Sequence, residues 1–265
     1  MNTIGFIGMG NMAQAMACGF INSGKVKAEE VSAYAPNQAK LKENASKIGF
    51  TPAESNLELV KKSNIVFVAC KPYQIADVLK EVKEALEGKV LVSIAAGWTF
   101  DTFAEFIDVQ KVHVQCVMPN TPAKIGQGVM LVEQKNSLSK EESETILGLL
   151  GTLGITETLP TNLMGIGGAI SGCSPAFMDM IIEAYADAAV KYGMQRAQAY
   201  RLVSKTMAGS AMLQLSTGEH PGVLKDAVCS PAGTTICGVD ALEKSGLRAA
   251  CINSIDAIMN KKIGK

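Results

Sequence analysis

Two short stretches carry residue types and spacings that could do chemistry. The first is Gly8-Met9-Gly10-Asn11-Met12-Ala13, a G-x-G-x-x-A pattern set between the apolar run Thr3-Ile4-Gly5-Phe6-Ile7 and a helix-compatible segment from Gly8 to Phe20. Gly8 permits a tight turn, Gly10 lets the backbone approach a pyrophosphate, and Ala13 lets the helix pack close to the strand. The helix N-terminus adds free N–H groups and positive dipole character that suit phosphates. The strand–turn–helix context separates this pattern from a chance glycine cluster and predicts a dinucleotide site. The second stretch is Ser230-Pro231-Ala232-Gly233-Thr234-Thr235, a turn feeding a helix that starts near Ile236. Its backbone N–H groups and hydroxyls suit a carboxylate or another small anion. On composition alone, an N-cap with a tight turn accounts for the same residues.

These residues need elements to position them. Over the first ~110 residues, short β-branched apolar runs alternate with helix-like stretches. Strands are expected at 3–7, 31–34, 65–69, 90–94 and 112–117, with helices over 8–20, 40–48 and 75–86. Continuous apolar strands alternating with helices signal a parallel sheet covered on both faces. From about Leu163 the texture changes to helices rich in Ala, Gly, Met and Ser, over 175–192, 196–216 and 245–260. Small residues let helices approach closely, as in a tight intersubunit bundle. The expected class is therefore α/β: a Rossmann-type, doubly wound, mostly parallel sheet over residues 1–161, then an all-helical domain over 162–265 for substrate binding and dimerisation.

In such sheets ligands sit outside the carboxyl ends of the strands. Ala69-Cys70-Lys71-Pro72 and Ala95-Ala96-Gly97 end apolar runs at that edge, and Asn56 could reach the adenosine side. An NAD site calls for an Asp or Glu about 20 residues beyond the glycines. The second strand ends instead in Ala33-Tyr34-Ala35-Pro36-Asn37, with no carboxylate. A neutral tip tolerates a 2′-phosphate, which Tyr34, Asn37 or Lys40 could contact, so NADPH is expected ahead of NADH.

Composition narrows the alternatives. The 265 residues carry 25 Lys+Arg against 25 Asp+Glu, a balance that lacks the basic footprint of a nucleic-acid or anionic-membrane binder. No run approaches the ~18 uninterrupted apolar residues that cross a bilayer, and the N-terminus reads straight into a strand, so a cytoplasmic protein is expected. The seven cysteines (18, 70, 116, 173, 229, 237 and 251) are odd in number and contain no C-x-x-C pair, which fits reduced thiols. With only His113 and His220 present, a His-rich zinc site is excluded. Asp179, Glu183 and Asp187 recur every four residues and read as a solvated or interface-rim stripe, so no metal is expected. The mean hydropathy of +0.18 is high, and helices covered by a second subunit would explain it.

Taken with Ser93-Ile94-Ala95-Ala96-Gly97, Met118-Pro119-Asn120-Thr121-Pro122, Ser171-Gly172-Cys173-Ser174-Pro175-Ala176 and the Leu224–Glu243 segment, the chain resembles the pyrroline-5-carboxylate reductases over nearly its full length. The resemblance implies an NAD(P)H-dependent oxidoreductase that delivers a hydride to the C=N carbon of Δ1-pyrroline-5-carboxylate, giving L-proline in the last step of proline biosynthesis. It implies cofactor contacts from Ile7, Gly8, Met9, Gly10, Asn11, Met12, Tyr34, Asn37, Asn56, Ala69, Cys70, Lys71, Pro72, Ala95, Gly97 and Asn120. It assigns the substrate carboxylate to Ser230, Gly233, Thr234 and Thr235, with Thr235 near the ring nitrogen. It also implies a homodimer built from the C-terminal helices, often assembled into a larger ring.

The chain departs from the family pattern at Thr161–Gly168, read as a glycine-rich loop, and at Cys173-Ser174. The β-hydroxyacid dehydrogenases share the architecture but would place an Asn four positions after a catalytic Lys, where Lys191 here is followed by Gln195. A dinucleotide sensor without chemistry would not need the Ser230–Thr235 loop.

Overall fold

The computed structural model describes residues 3–263. By contacts the chain divides into two compact units, Met1–Gly172 and Cys173–Lys265. In the first, strands and helices alternate: β1 (Ile4–Ile7), α1 (Asn11–Asn22), β2 (Val31–Tyr34), α2 (Gln38–Ile48), β3 (Thr51–Pro52), α3 (Asn56–Lys62), β4 (Ile65–Val68), α4 (Pro72–Val82), β5 (Val90–Ser93) and α5 (Phe100–Ala104). There follow β6 (His113–Met118), β7 (Gly128–Glu133), α6 (Lys140–Leu150), β8 (Gly154–Leu159) and α7 (Thr161–Gly168). The sheet order is β3-β2-β1-β4-β5-β6-β7-β8. All neighbours pair in parallel except β6 with β7. The order reverses between β1 and β4, so the crevice above that pair is the ligand position of a doubly wound sheet.

The apolar runs become strands because both faces are covered. Every residue of β1, β4 and β5 is buried. On one face Phe6 stacks on Phe67 at 4.9 Å, with Phe20 of α1 tilted against both. The opposite face packs Ile7, Val66, Val68 and Leu91 against Leu59, Ile75 and Leu79. Each such side chain contributes about 1.5–3 kcal/mol by leaving water.

The sequence pattern predicts neither β7 nor β8, nor the two-residue β3. β8 is an edge strand, Gly-Ile-Thr-Glu-Thr-Leu, with no fully buried residue, so it carries almost no apolar signal. The Gly165–Gly168 stretch, read as a loop, is helical. Its glycines are packing contacts: a Cβ on Gly167 would stand 2.6 Å from Leu159, and one on Gly168 2.2 Å from Met118 Sδ. Close approach to the sheet thus outweighs the poor helix propensity of glycine, about 1 kcal/mol per residue. The units divide after Gly172 because α7 packs on β7 and β8. The change in composition, read at 161/162, comes earlier, at the head of this helix.

A π-helical turn at Ala169–Cys173 follows α7. The second unit holds α8 (Ser174–Lys191), α9 (Arg196–Thr217), α10 (Pro221–Ala227), α11 (Thr234–Lys244) and α12 (Leu247–Ile263), with α8 packed on α9. Among its described residues only Ala186 and Ala199 are buried, while Met180, Leu215 and Ile252 are each more than 60% exposed. Two alanines make no core, so these helices need another surface to cover them. By length and composition alone the helical run Thr161–Lys191 would pass for a membrane span.

Candidate functional site

A cavity of about 760 Å³ opens at the carboxyl ends of β1, β2, β4 and β5. Its floor is the turn from Ile7 to Met12, held by two contacts. Gly8 N–H donates to Tyr34 C=O at 2.8 Å, and Gln14 Nε2 donates to Met9 C=O at 3.0 Å. Gly8 has φ +94°, and a Cβ there would stand 2.8 Å from the backbone of Ala69 and Cys70. Gly8→Ala therefore adds left-handed strain to a clash with main chain that cannot rotate away. The expected cost is about 2–4 kcal/mol of stability, measurable as a lowered midpoint in denaturant. Gly10 caps α1 in an extended conformation without a side-chain acceptor, and α1 has no acid in its first turn. The first N–H groups of α1 thus remain available to an anion.

The walls come from three strand ends. Tyr34, Asn37 and Lys40 line the β2 side, where Asn37 Oδ1 caps α2 by accepting from Lys40 N–H at 3.0 Å. Ala69, Cys70, Lys71 and Pro72 line the β4 side, and Ala95 the β5 side. Burial pushes the Cys70 thiol upward, so it stays neutral at physiological pH. Among the described residues lining the cavity there are two lysines, Lys40 and Lys71, and no carboxylate. Ala96, part of the predicted Ala95–Gly97 strand end, also lines the wall, as do Gln74 and Val78, one turn apart on α4, which the motifs do not single out. Their helical spacing was the available signal.

Asn56, the first residue of α3, tests whether a dinucleotide suits this space. It is buried and lines the cavity. Its Nδ2 donates to Glu81 Oε2 at 3.0 Å, while its Oδ1 has no partner. A buried amide oxygen left unmet costs about 1–3 kcal/mol, and a sugar hydroxyl donating to it would recover that cost. A Cβ on Gly10 would meet nothing within 4 Å, which leaves room for a group lying against the turn. The orphaned acceptor, the open turn and the cationic wall together fit a bound dinucleotide.

Two residues expected at the cofactor lie elsewhere. Gly97 is exposed beyond the rim, with φ +84°. Asn120 is buried with both amide groups engaged: Oδ1 accepts from Val129 N–H at 2.8 Å and Nδ2 donates to Ser171 C=O at 3.0 Å. It ties the end of β6 to the π-helical turn.

In the second unit, Gly233 N–H donates to Ser230 C=O at 3.0 Å. With Pro231 next and Ala232 at φ +56°, Ser230–Gly233 forms a type II turn. Gly233 then caps α11 without a side-chain acceptor, and a Cβ there would stand 2.4 Å from Ser230 Oγ. Ser230, Thr234 and Thr235 are exposed. Hydroxyls and uncapped amides thus share one helix start, a geometry that can receive a carboxylate. His113 Nδ1 faces Glu142 Oε1 at 2.6 Å, and its ring belongs to this structural pair. Among the described residues no cluster of His, Cys, Asp and Glu could hold a metal ion.

Residues 161–264 match the family model for pyrroline-5-carboxylate reductase dimerisation, and residues 3–97 that for NADP oxidoreductase, coenzyme F420-dependent. Pyrroline-5-carboxylate reductase of Treponema pallidum is 40% identical over 260 residues, covering 97% of this chain and 98% of the relative. The enzyme of that name from Escherichia coli K12 is 40% identical over 259 residues, covering 97% and 96%. Among solved structures, Plasmodium falciparum pyrroline carboxylate reductase with NADP bound superposes with a TM-score of 0.89 at 30% identity, covering 98% of this chain and 96% of that one.

Proposed function

Because the chain belongs to the pyrroline-5-carboxylate reductase family, we infer that it reduces Δ1-pyrroline-5-carboxylate to L-proline with NADPH as the preferred cofactor. The observation that carries the cofactor side is the cavity at the β1/β4 reversal, with its orphaned Asn56 Oδ1 and no carboxylate in its described wall. When bound, the nicotinamide supplies a hydride to the imine carbon while a proton is retained on the ring nitrogen. The turn Gly8–Met12 and the α1 N-terminus would hold the pyrophosphate, and Asn56 a ribose hydroxyl. Tyr34, Asn37 and Lys40 would face the adenosine end. Ala69–Pro72 and Ala95 would flank the nicotinamide half.

Ser230, Gly233 and Thr234 would hold the substrate carboxylate, and Thr235 would hydrogen-bond the ring nitrogen. Imine reduction asks for an electrophilic carbon and accurate placement more than for a strong base, so the scarcity of histidine fits the chemistry. The exposed helices of the second unit support a homodimer, as does a groove of about 560 Å³ lined by Tyr185, Met194, Leu202 and Met207. Subunit contact, rather than lipid, would also cover the exposed apolar residues of α8, and the enzyme would be cytoplasmic.

The test is NADPH and NADH oxidation with the cyclic imine, proline being identified as product. Lys40→Ala is expected to lower the NADPH/NADH ratio of kcat/KM about tenfold, the scale of one lost contact to a phosphate. An unchanged ratio would remove Lys40 from cofactor choice. Absence of proline would overturn the reaction.

A further inference from the structure

One buried acid has no part in the mechanism above. Glu133 ends β7 and is 1% exposed. Its Oε2 accepts from Phe100 N–H, in the first turn of α5, at 2.9 Å, and its Oε1 accepts from Thr161 Oγ, at the head of α7, at 2.6 Å. The Cys116 thiol lies beside it, and burial together with this carboxylate drives that thiol far above its ordinary range. A single carboxylate thus joins β7 to two helix starts.

The register shows what this joint controls. Val117 pairs with Val132, which sets Cys116 opposite Glu133. The same row continues through Ser93 and Val68 to Ile7 and Tyr34, the strand ends that line the cavity. Between β5 and α5 runs Ala95–Thr99, whose first residue belongs to the cavity wall. Ala96 and Gly97 are exposed, and a Cβ on Gly97 would meet nothing within 4 Å. Near its start the segment is held by Ala95 N–H on Ser93 Oγ at 3.3 Å, and within it by Trp98 N–H on Ala95 C=O at 3.4 Å. The Trp98 ring packs on Phe103 and Phe106. At its far end Thr99 caps α5, its C=O accepting from Phe103 N–H at 3.1 Å, and just beyond it the bond from Phe100 N–H to Glu133 at 2.9 Å is shorter than any of these.

We propose that Glu133 is a positioning residue for hydride transfer, fixing the Ala95–Thr99 segment through Phe100 and the head of α7 through Thr161. The proposal rests on reading the cavity as the cofactor site. With the adenosine end on the β2 side of the chain reversal, Ala95–Thr99 borders the nicotinamide half, where small displacements cost rate more than affinity.

Glu133→Ala leaves Phe100 N–H without its acceptor and loosens the far end of the segment. Its kcat is expected to fall about tenfold or more while the NADPH Kd stays within about threefold. Trp98 is the only tryptophan, so its emission reports the segment directly and is expected to shift to the red and quench more readily. Glu133→Gln keeps an acceptor for Phe100 and can donate to Thr161 Oγ, so it is expected to restore both kcat and emission. If Glu133→Ala yields no folded protein, Glu133→Asp, shorter by one methylene, carries the same expectation. Wild-type kcat and Trp98 emission in a folded Glu133→Ala or Glu133→Asp variant would overturn the proposal, even with a lowered Tm. Equal impairment of the Gln and Ala variants would overturn it too. If the native enzyme fails to reduce the imine, the reaction assignment falls, while NADPH affinity and Trp98 emission still test the joint.

Discussion

Gly10→Val is expected to weaken dinucleotide binding severely in a protein that still folds. Gly10 has φ −77° and ψ −178°, a backbone conformation open to any residue, and a Cβ there meets nothing within 4 Å. The folded protein therefore loses only what a poorer N-cap costs, about 1 kcal/mol. The added branches occupy the space against the turn, and the first N–H groups of α1 can no longer be approached. An affinity loss of about 100-fold or more is expected, about 2.8 kcal/mol. Titration of nicotinamide fluorescence measures it, with thermal unfolding as the control. The contrast with Gly8→Ala is the informative part: there the clash lies within the protein, so stability falls first. Normal NADPH titration by folded Gly10→Val would sink the phosphate-turn assignment.

Thr235→Ala is expected to cut kcat/KM for the cyclic imine about 100-fold and leave the NADPH Kd nearly unchanged, on the scale of one lost donor at a reacting centre. Thr235 is exposed in the first turn of α11, where alanine is a good helix former, so the fold is spared. Thr235→Ser, which keeps the hydroxyl, is expected to recover most of the loss. Turnover of the alanine variant at the native rate would remove Thr235 from the mechanism.

The parts of this molecule legible in the sequence are those governed by local rules. Ile65–Val68 and Val90–Leu91-Val92 are unbroken apolar runs because neighbours cover both faces, and the two glycines with Ala13 mark their turn by size alone. The parts not legible depend on distant partners. Gly165–Gly168 has the composition of a loop and becomes helix because Leu131, Leu159 and Met118 occupy the space that Cβ atoms would take. β8 pairs along β7 with little burial of its own, so its pattern of Thr and Glu gave no strand signal. Asn120 sits in a motif that suggests ligand contact, yet its amide is consumed by Val129 on the next strand and by Ser171, 51 residues along the chain. Glu133 shows the same limit: an acid closing an apolar strand marks an oddity, but only the fold brings Phe100 and Thr161 to its oxygens.

As a pyrroline-5-carboxylate reductase, this chain delivers a hydride to the imine carbon of Δ1-pyrroline-5-carboxylate. The most direct measurement uses NADPH carrying deuterium at nicotinamide C4, on each face in turn, followed by mass and NMR analysis of the product. L-Proline bearing one deuterium at C5, the former imine carbon, is expected from one of the two labelled faces and none from the other. Label-free proline from both labelled cofactors, or NADPH consumption without proline, would contradict it.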